Sequence, residues 1–288
     1  MLKLACQCIV NGILLGGIYA MMAVGLSLCF GVMRVANSAQ AAMAVLGAYI
    51  GYWLFTLYGI NPFFSIIVSM GVLFAIGLGT YRILITRIVD TPSPTLLSFL
   101  LLSALAIVME NGMTMTVGNI FRSIYTSYTA TSVEFGGIVF PIVRVASFTL
   151  SIFVIAILFL VLKYTYLGKA MRAMAQDRDA ASLLGVNVTR VGSITFAIGT
   201  ALSGIAGVLM ALIYAFYPAI QNLWIAKLYC IVIFGGMGSV TGAFLASMVL
   251  GIVETVIGAF IPTMWTYIIS YVILLLTLYF RPTGILGK

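Results

Sequence analysis

Long apolar runs, separated by short clusters of polar residues, proline and glycine, make up most of this chain. Runs such as ILLGGIYAMMAVGLSLCFGV and FTLSIFVIAILFLVL are continuously apolar, which is typical of helices that cross a bilayer and not of the alternating strands of a membrane β-barrel. The pattern predicts an all-α, polytopic transmembrane helical bundle of about 8–9 spans. These spans are expected near residues 8–32, 38–58, 62–86, 95–117, 145–165, 190–216, 223–236, 239–260 and 264–281.

Composition narrows the class of protein further. Hydrophobic residues make up 63% of the chain, charged residues only 7%, and the mean hydropathy is +1.22. About a quarter of the residues of a soluble protein are charged, so a soluble fold is excluded. No linker divides the sequence, and residues 1–288 are expected to form a single transmembrane domain. The first apolar run continues to Phe30 and is interpreted as an anchoring span rather than a cleaved signal peptide.

The distribution of basic residues predicts the orientation. If the loop at about 167–190 is cytoplasmic and the sides alternate from there, Lys3, Arg122 and Arg144 lie outside, and the largest outer loop is at about 118–144. The inner side then holds Arg34, Arg82, Arg87, Lys163, Lys169, Arg172, Arg178, Arg190, Arg281 and Lys288. Cytoplasmic loops carry such an excess. We therefore expect the N-terminus outside and the C-terminus inside, and the net charge of +8 needs no nucleic-acid partner.

A glycine-rich stretch interrupts the pattern of spans. FGGMGSVTG, from Phe234 to Gly242, adjoins a predicted span that is too short to cross the membrane straight. Irregular backbone at membrane depth is tolerated where protein buries it or where it lines a polar path, so we predict a broken or re-entrant helix here. Elsewhere, small residues four apart, such as Gly12 and Gly16 or Gly47 and Gly51, favour close packing of helices.

The cytoplasmic loop is predicted to form a surface helix. Neither proline nor glycine occurs from Lys169 to Leu184, Gly185 is a suitable stop, and Asn187 or Thr189 can cap the next span. One helical face is polar and carries Lys169, Arg172, Gln176 and Asp179. A second face carries Ala170, Met174, Ala181 and Leu184. Such a helix suits docking of a soluble protein. The alternative is a basic helix lying on anionic membrane lipid, which the acidic residues Asp177 and Asp179 disfavour.

Polar residues within the spans are further candidates for function, because ionisable side chains are costly in a bilayer. Lys227 and Glu254 fall on antiparallel spans at similar depths, so they are predicted to pair and lock that hairpin. The alternative is that Lys227 extends to the membrane surface. The polar residues available to a solute path are Asn11, Asn37, Gln40, Glu110 and Asn111. Interhelical hydrogen bonding is the alternative role for these residues.

Four stretches, in order along the chain, carry a family resemblance. They are NGILLGGIYAMMAVGLSLCFGVMRVANSAQ, YLGKAMRAMAQDRDAASLLGVNVTRVGSITFAIGTALSGIAGVL, KLYCIVIFGGMGSVTGAFLASMVLGIVE and RPTGILG. Together they resemble the permeases of bacterial ATP-binding cassette (ABC) importers of the branched-chain amino acid type, often called LivH-type. The resemblance covers nearly the whole chain.

This resemblance implies that the cytoplasmic loop is a coupling element seated in a groove of an ATPase, with Arg172, Asp177 and Arg178 as docking candidates. It implies two cytoplasmic ATPase subunits that bind ATP and Mg²⁺, a second related permease, an extracytoplasmic solute-binding protein, and the bacterial inner (plasma) membrane as the location. The chain itself is expected to be no enzyme and to bind no cofactor. Gly168-Lys169 is followed by alanine, and Lys163 stands where a P-loop needs its first glycine.

The resemblance also points to Asn37, Ser38 and Gln40 as residues of the solute path. Relatives tend to show Asn-Phe-Ala-(His or Gln)-Gly-Glu there, whereas this chain has Ser38 for the Phe and Ala42 for the Glu. In an amino acid path, that Glu could meet an ammonium group. Its loss suggests either a different polar cargo, such as an amide, urea or a small organic acid, or transfer of that role to the partner subunit, which keeps a branched-chain or related amino acid as cargo.

Two rival classes remain. A secondary transporter driven by an ion gradient is consistent with FGVMRVANSAQAAM resembling FGGMGSVTGAF as an internal repeat, but it would not need the charged cytoplasmic loop. A membrane enzyme is disfavoured, since the sequence has no histidine, six scattered acidic residues and no cluster of catalytic or metal-ligating residues.

Overall fold

The computed structural model describes residues 2–89, 91–126, 128–129, 131–135, 137–260, 263–281 and 284–286. Within these residues the chain forms eleven α-helices: α1 (Leu2–Met33), α2 (Gln40–Tyr58), α3 (Pro62–Ile83), α4 (Pro94–Val117), α5 (Ile142–Tyr164), α6 (Tyr166–Gln176), α7 (Arg178–Leu183), α8 (Val188–Ala211), α9 (Gln221–Gly235), α10 (Val240–Gly258) and α11 (Thr263–Phe280). In the outer loop, β1 (Ser132–Phe135) pairs antiparallel with β2 (Ile138–Pro141). Lys288, counted above on the inner side, and residues 282, 283 and 287 of RPTGILG lie outside the described residues.

Among the described residues, eight helical segments are long and apolar enough to cross a membrane. They are α1 to α5, α8, α10 and the segment Pro218–Gly235, which contains α9. The prediction of a polytopic bundle with about 8–9 spans is thereby confirmed. The short helices α6 and α7 lie between α5 and α8, in the loop predicted to be cytoplasmic.

The centre of the bundle is formed by α1 and α8, which are almost wholly buried. Small residues let their neighbours approach closely. A Cβ atom at Gly47 would lie 2.8 Å from Gly204 Cα, where α2 crosses α8, and one at Gly16 would lie 2.8 Å from Met248 Cα, where α1 crosses α10. Because backbone faces glycine at both crossings, a larger residue would separate the helices.

Two stretches of irregular backbone are buried within the bundle. The first, residues 34–39, rises from the inner end of α1, and Arg34 adopts a left-handed φ of 55° there. It places the side chain of Gln40 against the backbone oxygens of Met22 and Gly199. At 1.5 Å per residue, these two oxygens lie about 16 Å from the inner ends of α1 and α8. Helix α2 therefore begins deep inside the bundle.

The second irregular stretch, residues 212–220, follows α8 on the outer side. Helix α8 ends at Ala211 rather than near 216 as predicted, because the chain leaves the helix to form a β-bridge between Phe216 and Arg122. The Phe216 ring packs edge-on against Tyr49 at a centroid distance of 4.9 Å. Leu212 and Phe216, which belonged to the predicted span, are thus buried without being part of α8.

The glycine-rich stretch takes the form of a tight turn. Helix α9 ends at Gly235, and α10 begins at Val240 and returns antiparallel to it. Gly236 and Gly238 have φ values of 97° and 85°, which glycine adopts at little cost. Next to the turn, Ile285 N donates to Phe234 O at 2.9 Å, so the C-terminal segment is fastened to this hairpin.

Candidate functional site

The predicted cytoplasmic helix is divided into two. Asp177 has extended backbone, with φ −153° and ψ 115°, and its carboxylate accepts hydrogen bonds from the backbone N–H groups of Asp179 and Ala180. An aspartate that caps the next helix in this way ends the preceding one. The prediction of one continuous helix is therefore wrong, whereas Asn187 caps α8 as expected, accepting from Arg190 N at 2.9 Å. We call α6, α7 and Leu184 the coupling segment.

The coupling segment has one buried and one exposed face. Ala170, Met174 and Ala181 of the predicted second face are buried. The exposed side chains include the predicted polar residues Lys169, Arg172, Gln176 and Asp179. Leu184, placed on the second face with them, is instead 84% exposed, and Leu183 is 90% exposed. Both lie at the C-terminal end of α7, where Leu184 is the residue that follows the last helical position.

The buried face connects the coupling segment to the interior of the bundle. Met174 belongs to the same hydrophobic cluster as Met33 and Val35, at the start of the irregular stretch 34–39. Arg178 Nη1 donates to Val89 O at 3.0 Å, and Arg172 Nη1 donates to Leu162 O. Both arginines proposed for docking thus also bind their own chain, and the coupling segment packs in the same hydrophobic cluster as the start of residues 34–39.

The predicted path residues near the start of α2 do come together. Asn37 Nδ2 donates to Gln40 Oε1 at 2.7 Å, while Gln40 Nε2 donates to Gly199 O at 2.9 Å. Ser38 Oγ accepts from Ser103 Oγ of α4 at 2.9 Å. We call Asn37, Ser38, Gln40 and Ser103 the inner polar cluster. It lies where α2, α4 and α8 meet, and all of its hydrogen-bonding groups are uncharged.

Glu110 lies apart from that cluster, further out along α4. Its Oε2 atom accepts hydrogen bonds from Gln221 Nε2 at 2.7 Å and from Asn222 Nδ2 at 3.2 Å. Asn111 is exposed and donates to Ile107 O of its own helix, so it joins neither group. We call Glu110, Gln221 and Asn222 the outer acceptor cluster.

Sequence reasoning missed two of these three residues. Gln221 and Asn222 directly precede the span predicted at 223–236 and were treated as part of a loop. The available signal was two consecutive amide side chains at the start of a span. Nothing in the sequence linked them to a carboxylate 111 positions away.

The second intramembrane carboxylate has a charged partner. Lys227 Nζ lies 2.7 Å from Glu254 Oε1 and 2.9 Å from Glu254 Oε2, and it also donates to the Tyr19 hydroxyl at 2.9 Å. These residues join α9, α10 and α1. Lys227 is only 7% exposed, so it does not extend to the membrane surface. This ion pair ties the two arms of the glycine hairpin together.

An inner cavity of about 430 Å³ separates part of the coupling segment from the bundle. Its lining includes Gly31 of α1, Met171 and Arg172 of α6, and Gly238 of the glycine turn. Gly31 and Gly238 touch, since a Cβ atom at Gly31 would lie 2.5 Å from Gly238 O. The coupling segment, the end of α1 and the glycine hairpin therefore meet at one place.

A bundle of helices long and apolar enough to cross a membrane, with polar side chains brought together between them, defines a multi-pass membrane protein. Comparison with known proteins narrows this class. Residues 8–278 match the family described as "Branched-chain amino acid transport system / permease component", and the chain belongs to this family.

Similar proteins are found in bacteria and archaea. The chain is 28% identical to the high-affinity branched-chain amino acid transport system permease protein LivH of Escherichia coli, over 96% of this chain and 94% of that protein. It is 28% identical to the permease protein BraD of Pseudomonas aeruginosa (98% and 95% covered) and 27% identical to a probable LivH of Methanocaldococcus jannaschii (96% and 91%). PsaBC from Streptococcus pneumoniae in complex with Fab has a TM-score of 0.49 at 14% identity, a similarity too weak to define the fold; it covers 95% of this chain and 91% of the other.

Proposed function

We propose that this chain is the membrane-spanning permease subunit of an ABC importer in the bacterial inner (plasma) membrane and carries a small polar solute inward. Family membership and the names of the relatives support a branched-chain amino acid as the first cargo to test. Related amino acids, amides, urea and small organic acids are the other cargoes to compare, because the inner polar cluster consists only of uncharged groups.

The observation that carries this proposal is the exposed face of the coupling segment. Leu183 and Leu184 project from it beside a stripe of charged and amide side chains. Large exposed apolar side chains within a polar surface are typical of protein interaction sites. We assign this face to a cytoplasmic ATPase subunit, which binds ATP and Mg²⁺, while this chain binds neither.

The buried face of the same segment supplies the connection that an ATP-driven permease needs. Closure of the ATPase subunits would displace the coupling segment and, through Met174, Met33 and Val35, the stretch 34–39. That stretch positions the start of α2 and, through Ser38, contacts α4. Two alternative packings of these elements would open the path to opposite sides, and ATP would bias the equilibrium between them.

The remaining partners follow from the same architecture. A second, related permease subunit would complete the path across the exposed surface of α4, and two ATPase subunits would dock on the two coupling segments. An extracytoplasmic binding protein would deliver the solute to the outer side, where the outer acceptor cluster lies.

The experiment is ATP-dependent uptake by proteoliposomes that contain this chain, its genomic neighbours for the second permease and ATPases, and the cognate binding protein. Replacing Leu183 and Leu184 together by alanine should weaken ATPase binding roughly a hundredfold, at about 1.5 kcal/mol per leucine side chain. Uptake should fall accordingly. Ile83→Ala, at an exposed apolar residue on the inner end of α3, is the matched control and should leave uptake unchanged.

Two results would contradict the proposal. One is uptake by this chain alone under an ion gradient, which would establish a secondary transporter. The other is an unchanged affinity for the ATPase in the double leucine variant, measured by pull-down of the purified subunits in detergent.

A further inference from the structure

A carboxylate without a positively charged partner lies in the outer half of the bundle. Glu110 is about 10 Å below the outer end of α4, at 1.5 Å per residue. Its Oε2 atom is held by two amide groups, and among the described residues no lysine or arginine pairs with it. Gln221 and Asn222 are the first two residues of α9, so both amide donors that hold Glu110 come from the N-terminal end of that helix.

Gln221 contributes a second acceptor to the same place. The residue is 2% exposed, and its Nε2 atom donates to Glu110 and, at 3.3 Å, to Asn222 Oδ1. Its Oε1 atom is buried, and no group of the described residues donates a hydrogen bond to it. A buried acceptor without a donor is unfavourable. A ligand that donates a hydrogen bond there would remove that cost.

Both acceptors fit the same ligand chemistry. A carboxylate and an amide oxygen together match a compact cation with several N–H donors, and an alkylammonium group has three such donors. Glu110 is partly exposed and Asn222 is exposed, so the cluster is reachable from the surface of the bundle.

The cluster also lies on a continuous route inward. Ser103 and Glu110 are seven positions apart on α4 and therefore share one face of that helix. Ser103 hydrogen-bonds Ser38, so the inner polar cluster begins about 10 Å further along the same face. A solute leaving the outer acceptor cluster would next meet hydroxyl and amide groups.

We propose that the outer acceptor cluster is the site that receives the ammonium group of an amino acid cargo as it enters from the outer side. Glu110 supplies the charge, and Gln221 Oε1 supplies a second hydrogen-bond acceptor. Asn222 positions the carboxylate. This assignment rests on the proposed importer function and deepens it, because it selects amino acids over solutes that carry no positive charge.

The first test compares initial rates of ATP-dependent uptake of L-leucine in the reconstituted complex. Glu110→Gln keeps the shape and removes the charge, and it should raise the KM for uptake at least tenfold. Glu134→Gln is the matched control, since it removes another outer carboxylate, on β1, and should change the KM less than twofold. Copurification of both variants with the ATPase subunits in the wild-type ratio verifies assembly.

The second test does not depend on transport. The complex in nanodiscs is treated with a water-soluble carbodiimide and glycine ethyl ester, and modification of Glu110 is quantified by mass spectrometry. L-Leucine should protect Glu110 at least threefold. The hydroxy acid in which a hydroxyl group replaces the amino group of leucine should not.

The outcomes separate the two proposals. Wild-type KM values in Glu110→Gln, or equal protection by leucine and its hydroxy analogue, would overturn the ammonium site and leave the importer function standing. A wild-type complex without ATP-dependent uptake of any cargo tested would overturn the importer function. If L-leucine also fails to protect Glu110 in that complex, the ammonium site is overturned as well. If L-leucine does protect Glu110, the cluster still stands as an ammonium site.

Discussion

The carboxylates of Glu110 and Glu254 both lie within membrane-crossing helices, but the side chains that bind them differ. Glu254 binds a buried lysine at 2.7 Å and the hydroxyl of Tyr19, and so belongs to a neutral, satisfied group. Glu110 is held by two amides, and among the described residues no lysine or arginine pairs with it. A carboxylate whose charge is matched stabilises a particular packing of helices, whereas one whose charge is unmatched remains able to bind a cation. The difference distinguishes a structural lock from a binding site.

The largest expected effect is on the matched carboxylate. Lys227→Met leaves Glu254 in a largely apolar site without its counter-charge, which should destabilise the assembled subunit by about 3–5 kcal/mol. The measurement is thermal unfolding of the purified complex in detergent. Adding Glu254→Leu removes the second charge and should restore most of the lost stability. If Lys227→Met unfolds and transports like the wild type, the ion pair does not lock the hairpin.

A second prediction converts the unmatched carboxylate into a matched one. Asn222→Lys places an ammonium group beside Glu110, so it should compete with the cargo and lower L-leucine uptake about tenfold, or about 1.4 kcal/mol. Because the added pair is partly exposed, stability should change by less than about 1 kcal/mol. Thr116→Lys adds the same charge elsewhere on α4, where the side chain is also exposed, and should have little effect on uptake. Equal losses in both variants would attribute the effect to general electrostatics.

The smallest expected effect concerns the hydroxyl group that completes the lock. Tyr19→Phe removes a hydrogen bond from Lys227 Nζ at 2.9 Å and one to Glu254 Oε1 at 3.3 Å, which should cost about 1 kcal/mol of stability. Tyr49→Phe is the control, since the buried Tyr49 hydroxyl has no partner among the described groups and its loss should not destabilise the protein. The measurement is thermal unfolding of the two variants side by side. If Tyr19→Phe is as stable as Tyr49→Phe, the Tyr19 hydroxyl does not stabilise the ion pair of Lys227 and Glu254.

Much of this architecture is readable from local sequence. Apolar runs located the spans, and capping residues such as Asn187 marked where α8 begins. The pairing of Lys227 with Glu254 followed from their depths on consecutive antiparallel helices, because a short hairpin limits where each side chain can go. The cytoplasmic loop was recognised by its charge and its two faces.

Other features depended on competition between alternative hydrogen bonds and packing contacts, which a local sequence pattern does not show. Asp177 was assigned to a helix because it stands in a run without proline or glycine, yet its carboxylate satisfies two backbone donors better as a cap. Likewise, residues after Ala211 are apolar enough for a span, but pairing of Phe216 with Arg122 and its packing on Tyr49 favour an irregular path.

The sequence by itself determined that this protein lies in a membrane, which segments are apolar enough to cross it, and which family it resembles. Each of these follows from hydrophobicity, charge and residue order within short windows. Only the tertiary structure decided that α2 begins deep in the bundle, that Leu183 and Leu184 form an exposed docking face, and that Glu110 meets Gln221 and Asn222. Those contacts join residues far apart in the chain, and only the packing of helices brings them to hydrogen-bonding distance.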